Sequence, residues 1–397
     1  MPFYPRDIYP TLVEELQKDG VLVITGMRQV GKTTILKQLY ELVESTNKVL
    51  LDLSNPLYQQ IFTETNYDNV WHNLTDFGVT NSEPAFIFLD EVQNLPTIPQ
   101  VAKYLYDHWS VKFVLTGSSS YYLKNLFSES MAGRKVVYTL YPLNFGEFLT
   151  FKNVKRQSFS TWDEKAEYGT KIRYERLIKY YQEYLRFGGF PRVVLEPDQD
   201  RKQVLLGEIF TSYFELDVSN LADFRNLTKL KDLILLLVGR VGSSLDVSRL
   251  ALELDVSRDT VYSYLDFLEH TFFISLVSRY AKSLDKQVAG RKKVYLCDGG
   301  LAFYLGNIGQ GELFEQSVYQ NLRTKYQKIS YWRDRSGEID FIIQDKEDLV
   351  ALEVKLTATK KYQVKLAKLA KKLKIKESYL ISLNFSQLDN AIPAVEL

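Results

Sequence analysis

Short apolar runs and helix-period stretches alternate along the first 120 residues. "VLVI" (21–24), "KVLLDLSNP" (48–56), "FIFL" (86–89) and "VKFVL" (111–115) are continuous rather than alternating in hydrophobicity. That is the pattern of strands covered on both faces of a parallel sheet. Residues 151–166, "FKNVKRQSFSTWDEKA", are polar and aperiodic and read as a linker or loop. From about 168 to 238 apolar positions recur at helical spacing, broken once by Gly188-Gly189 and Pro191, which read as a hinge or a helix end. "SRLALE" (248–253), a turn "LDVS" and a longer amphipathic stretch from Arg258 to His270 follow, with Ser257 as N-cap; then comes the β-run "FFISLV". The last hundred residues read helix (311–326), three strands (328–335, 337–344, 348–356), a basic amphipathic helix (359–374) and a strand (377–383).

The expectation is an α/β chain of four parts. Residues 1–150 would form a parallel-sheet domain, 151–232 a helical lid, 233–293 a winged helix-turn-helix, and 294–397 an αβββαβ domain. A length of 397 residues suits several cores.

The strand at 21–24 runs into "GMRQVGKT" and then a helix-like stretch, which is G-x-x-x-x-G-K-[ST] in its strand–loop–helix setting. Gly26, Met27, Arg28, Gln29, Val30 and Gly31 would turn backbone N–H groups toward a phosphate chain, helped by the positive end of the helix. Lys32 would reach the β- and γ-phosphates, and the Thr33 hydroxyl, beside Thr34, would ligate Mg²⁺. ATP with Mg is the expected ligand. "AFIFLDEVQNL" supplies the acids: Asp90 at the strand's carboxyl end would hold the ion through water, and Glu91 would polarise the attacking water. On the next strand, Ser118, with Thr116 second, is the candidate to sense the γ-phosphate, against a simple turn. Arg134 would supply charge in cis, serve a neighbouring subunit of a homo-oligomer, or form a surface salt bridge.

"ITGMRQVGKTT", "FLDEVQN", "LTGSSS", "AGR" and "YPLNFGEFL", in this order, resemble a widespread prokaryotic group of AAA-type ATPases. Their C-terminal domain has long been labelled as of unknown function. "YLRFGGFPRVV" (184–194) and "VYLCDGGLAFYLGN" (294–307) are similar to that group's later signatures. The resemblance spans roughly residues 5 to 357 and implies an AAA-like ATPase core.

The winged-helix pattern points to DNA, with Arg258, Lys282, Lys286, Arg291, Lys292 and Lys293 as phosphate contacts. The same fold also docks proteins, and Asp259, Asp266 and Glu269 leave the second helix poor in base-reading side chains.

In the C-terminal part, alternate side chains of a strand share a face. Glu338 and Asp340 therefore point one way on their strand, as do Glu353 and Lys355 on theirs. Pairing the strands would gather two carboxylates and an ammonium. Asp340 and Glu353 would suit Mg²⁺ or Mn²⁺, Lys355 would position a water, and Glu315 would reach the ion through a second water. The αβββαβ order with Glu315, Asp340 and Glu353-Val354-Lys355 resembles the PD-(D/E)XK nuclease superfamily, although Ile339 replaces its proline. Two readings follow: a metal-dependent nuclease, or the same fold kept for binding a nucleic acid or another partner.

Fifty basic residues oppose 49 acidic ones, so any affinity for nucleic acid must be local. One cysteine, Cys297, excludes an internal disulfide framework, and with only three histidines a structural zinc site is not expected. No run reaches the ~20 apolar residues of a membrane span; "LILLLVG" (233–239) is a core helix by its length. The N-terminus lacks a signal-peptide layout. A cytoplasmic protein without a membrane partner is expected.

Overall fold

The computed structural model describes residues 4–118, 133–218, 227–281, 283, 285, 287, 290–306 and 308–397. Lys282 and Lys286, two of the expected phosphate contacts, lie outside the described residues. The chain divides into two compact units, essentially residues 3–141 and 142–397.

The first unit is a parallel sheet in the order β2-β3-β4-β1-β5, built from β1 (Val21–Thr25), β2 (Lys48–Asp52), β3 (Ala85–Asp90), β4 (Val111–Gly117) and β5 (Lys135–Thr139). The apolar runs occupy it as expected: Val23, Leu51, Ile87, Phe113 and Leu115 share one core. Trp71 and Trp109, stacked at 4.5 Å, lie in or against that core. The register pairs Leu89 with Leu115 and Thr25 with Gly117. The carboxyl ends of β1, β3 and β4 thus lie side by side, at the edge where ligands of such sheets gather.

The second unit begins with helices Phe145–Phe151, Trp162–Tyr168, Lys171–Phe187, Pro191–Leu195 and Gln199–Ser212. Of these, Lys171–Phe187, Pro191–Leu195 and Gln199–Ser212 are the helices expected to form a lid, whereas Trp162–Tyr168, capped by Thr161, is a helix within the stretch expected to be a linker or loop. They pack into the second unit's own core: the Tyr181 hydroxyl lies 2.9 Å from Ser317 Oγ on helix Gln310–Arg323, and the Gly189 N–H donates to Asp298 at 2.7 Å. Gly188, at φ 72°, caps helix Lys171–Phe187, and Pro191 opens the next helix, so the glycine pair is a helix end.

Helices Val247–Leu254 and Arg258–His270 flank a turn in which Asp255 is left-handed (φ 52°). Ser257 caps the second helix through the Thr260 N–H at 3.1 Å. Strands β6 (Ile274–Val277) and β7 (Lys293–Leu296) pair antiparallel behind them. The last sheet, β12-β11-β10-β9-β8, is mixed and comprises β8 (Ile329–Asp334), β9 (Gly337–Asp345), β10 (Asp348–Lys355), β11 (Glu377–Ser382) and β12 (Ala391–Pro393). With helices Gln310–Arg323 and Lys360–Leu373 its order is αβββαβ before the short β12. Helix Lys360–Leu373 buries Leu366, Leu369 and Ala370 against Ile339, Ala351 and Leu380. Segment 278–280 joins this sheet to the β6–β7 hairpin: the Tyr280 N–H donates to the Tyr331 carbonyl and the Tyr331 N–H to the Ser278 carbonyl, and the Tyr331 hydroxyl donates to the Arg291 carbonyl at 2.5 Å.

Candidate functional sites

Between β1 and helix Lys32–Leu42 the chain makes a tight loop. Gly26 sits at φ 145°, and a Cβ there would come within 2.1 Å of the Leu140 carbonyl oxygen. Only glycine fits. Gln29 (φ 63°) and Gly31 (φ 101°) complete the reversal into the helix, whose first residues include the exposed Thr33 and Thr34. Lys32, 5% exposed, donates from Nζ to the carbonyls of Gly26 and Met27 at 2.9 Å each. Its ammonium is thus held inside the loop. Arg6, nearly buried, braces the same loop by donating to the Val30 carbonyl at 2.9 Å and the Tyr141 carbonyl at 2.7 Å. Sequence reasoning did not find Arg6, because no motif contains it.

Asp90 is buried at the end of β3 and accepts from the Thr116 hydroxyl and from the Glu91 N–H (3.1 Å). Glu91 is left-handed (φ 55°, ψ 44°), a conformation that turns its side chain sharply off the strand and that few L-residues adopt. Its carboxylate accepts from Gln93 Nε2, while Gln93 Oε1 takes the Ser118 N–H at 3.2 Å. Gln93 therefore links both candidate hydrolytic positions. It stands in the "DEVQN" stretch, but no role was read from it. Of the two sensor candidates, Thr116 touches Asp90 through its hydroxyl, and Ser118 joins the network through its backbone. Arg134 is engaged in the surface salt bridge among its alternatives, 3.1 Å from Asp107.

The second cluster lies in the second unit, where β9 and β10 run antiparallel. Lys355 Nζ is 2.9 Å from Glu353 Oε1 and 3.3 Å from Asp340 Oδ2, and Asp340 also accepts from the Val354 N–H at 2.8 Å. These three expected residues are together. Beside them stands a residue assigned elsewhere by sequence. Lys293, expected among the phosphate contacts, has a side chain that is only 2% exposed. Its ammonium lies 2.7 Å from Glu338, 3.1 Å from Glu315 and 3.6 Å from Asp340. Arg291 and Lys292 are exposed, whereas Lys293 opens β7, whose four residues are all buried; the acidic cluster is what makes its burial tolerable. Tyr295, two residues on, donates its hydroxyl to Glu315 at 2.6 Å.

The electrostatics follow from burial. The Glu315 carboxyl is pushed up to about 7 by burial and by Asp340, with Lys293 and Tyr295 opposing. Glu353 is pushed up to about 7 by burial and Asp340, with Lys355 opposing. For Lys293 and Lys355 burial alone would lower the ammonium, but the surrounding carboxylates outweigh it and hold both above the ordinary lysine range. Glu353 Oε2 is buried without a hydrogen-bond partner. Such an orphaned oxygen fits a cation ligand. Among the described residues no three Asp, Glu, His or Cys side chains form a ready-made metal cage. Asp340 and Glu353 offer two hard oxygen donors.

Of the remaining expected contacts, Arg258 and Lys292 are exposed, and Arg291 is largely exposed while paired with Asp246 at 2.8 Å. The outward face of helix Arg258–His270 also carries Asp259, Tyr262 and Asp266.

Comparison with known proteins assigns residues 18–149 to a family model described as an AAA domain. Residues 178–312 and 310–395 match two domains of unknown function, DUF8612 and DUF4143. An uncharacterized protein of Methanocaldococcus jannaschii is 27% identical over 367 residues, covering 90% of this chain and 78% of its own length. An uncharacterized protein of Haemophilus influenzae is 26% identical, covering 86% and 84%. Among solved structures, the Aeropyrum pernix ORC1 protein in complex with DNA overlaps 79% of this chain and 93% of its own, with 14% identity and a TM-score of 0.31. The first unit thus carries the parallel P-loop sheet of AAA domains, in keeping with the family model over residues 18–149. No described helix is long and apolar enough to cross a membrane.

Proposed function

We propose that the chain hydrolyses ATP in its first unit and acts on nucleic acid through its second. The alignment of Lys32, Asp90, Glu91, Thr116 and Ser118 at the ends of three adjacent strands carries the first half. On this reading Lys32 exchanges the carbonyls of Gly26 and Met27 for phosphate oxygens. The Mg²⁺ accompanying ATP, which neutralises phosphate charge, would be held by Thr33 and, through water, by Asp90. Glu91, turned off β3 and steadied by Gln93, orients the attacking water. Lys32→Ala should abolish ATP binding, and Glu91→Gln should keep binding but lose turnover by roughly 10²-fold or more. Unchanged hydrolysis in both would sink the assignment.

For the second unit, the convergence of Asp340, Glu353 and Lys355, with the orphaned Glu353 oxygen, supports a metal-assisted phosphodiester site. Mg²⁺ or Mn²⁺ bound by the two carboxylates would lower the pKa of a bound water; Lys355 orients that water, and Glu315 stands behind Asp340. Linear and circular DNA and RNA are incubated with either metal, with and without ATP. Cleavage lost in Asp340→Ala and Lys355→Ala is expected. The second reading, a nucleotide-driven switch whose second unit only binds a partner, is favoured by the acids on the outward face of helix Arg258–His270. Absence of cleavage with every substrate and metal would select it.

A further inference from the structure

Four carboxylates in the second unit, Glu315, Glu338, Asp340 and Glu353, face two ammonium groups, Lys293 and Lys355. With the Arg333 guanidinium 3.6 Å from Glu338 as a third cation, the cluster formally keeps one uncompensated negative charge. The ammonium groups are not equivalent. Lys355 is 28% exposed and touches Asp340 and Glu353, the pair that keeps an unpartnered oxygen. Lys293 comes from β7, outside the αβββαβ core, and is almost sealed among Glu315, Glu338 and Asp340. Two-metal phosphodiester sites hold their ions roughly 4 Å apart, with a carboxylate bridging both. Here Asp340 is the bridging carboxylate: Oδ2 faces Lys355 and Oδ1 faces Lys293. The Lys293 ammonium lies between Glu315, Glu338 and Asp340 Oδ1.

We propose that Lys293 is a built-in cation of this site, standing where a second divalent ion would otherwise bind, so that the site takes one metal ion, at Asp340 and Glu353. This rests on the metal-site reading of the cluster. It adds a positioning residue from the hairpin strand: Lys293 holds Glu315 and Asp340 without the need to recruit an ion. The hairpin is itself fastened to the sheet through Tyr331, Arg279 and Tyr280, which fixes where Lys293 enters.

The test counts bound Mn²⁺ by calorimetry and by electron paramagnetic resonance on the full chain without nucleotide. An Asp90→Asn background keeps Mn²⁺ at the P-loop from being counted. One ion per chain is expected, none after Glu353→Gln, and two after Lys293→Ala. Glu315→Gln should keep the single ion, because its carboxylate serves Lys293. Two ions with Lys293 present, none at all, or an unchanged single ion in folded Lys293→Ala would each overturn the proposal. If Lys293→Ala does not fold, Lys293→Met keeps the side-chain bulk and is judged by the same counts. If that also fails, loss of the ion in Glu315→Gln is the overturning result, and its retention supports the proposal. DNA cleavage is scored separately: one ion without cleavage removes the nuclease reading and leaves this inference standing, whereas two ions with cleavage does the reverse.

Discussion

The Glu315 and Glu353 carboxyls make the second unit sensitive to pH in the neutral range. Burial and Asp340 push both up to about 7, from an ordinary value of 4.5. A carboxyl whose pKa is higher folded than unfolded stabilises the fold when protonated. That contribution is fully present below about 4.5 and is lost as pH rises through about 7. In chelator-containing buffer the melting temperature should therefore fall between pH 5 and 8, by roughly 3–6 °C. Glu315→Gln should flatten that slope, as should Glu353→Gln. An unchanged pH profile in both variants would mean that these carboxyls titrate normally. Residues of this kind were partly legible in sequence. Asp340, Glu353 and Lys355 could be grouped because strand alternation fixes which side chains share a face. Lys293 could not, since a basic run reads as a solvated surface until β7 is seen beside β9's acids. Arg6 and Gln93 were also missed: Arg6 works through Val30 and Tyr141, and Gln93 ties Glu91 to the sequence-distant Ser118, contacts that no local pattern encodes.

At the level of elements, two of the signature stretches turn out to meet. "RFGGF" ends helix Lys171–Phe187, and "CDGG" begins helix Gly299–Leu305. Asp298, wholly buried, accepts from the N–H groups of Gly189 (2.7 Å) and Leu301 (3.1 Å) and from Gln320 Nε2 (2.9 Å). A Cβ on Gly188 would lie 1.8 Å from Asp298 Oδ1, at a φ of 72° that L-residues rarely take. Gly188→Ala should cost roughly 3 kcal/mol or more, through strain and a displaced Asp298. Gly311→Ala, in a helix and with open space around its Cβ, should be neutral or stabilising by up to about 1 kcal/mol. Equal melting temperatures for the two variants would refute this account of the junction. Most of these elements were legible because their periods are clean, and helix Arg258–His270 begins and ends where its cap and pattern place it, but helix Trp162–Tyr168 lies in a stretch without apolar period and was read as a linker or loop. Which elements share a core was not legible. The helices read as a lid have an apolar face, but periodicity does not name the partner that covers it.

For the whole molecule, a charge balance of fifty to 49 means that binding to nucleic acid must rest on a few residues. With Lys293 removed to the interior, the described candidates are Arg258, Arg291 and Lys292. Each phosphate neutralised contributes about −0.9 to the slope of log affinity against log salt. Three contacts thus predict a slope of roughly −3 for duplex DNA, shallower than the larger set read from sequence would give. Charge reversal at Arg291 and Lys292 together should lower affinity at least ~10-fold and reduce the slope by about 2. Lys293→Gln should change the cluster's metal count while moving the salt slope little, because a buried ammonium releases no phosphate counterion. Fluorescence anisotropy with a labelled duplex across a salt series reads both variants. If Arg291→Glu with Lys292→Glu leaves both affinity and slope unchanged, the hairpin does not contact the backbone. The acidic outward face of helix Arg258–His270 then points to a protein partner, and the ATP-driven switch becomes the better account of how the units are used.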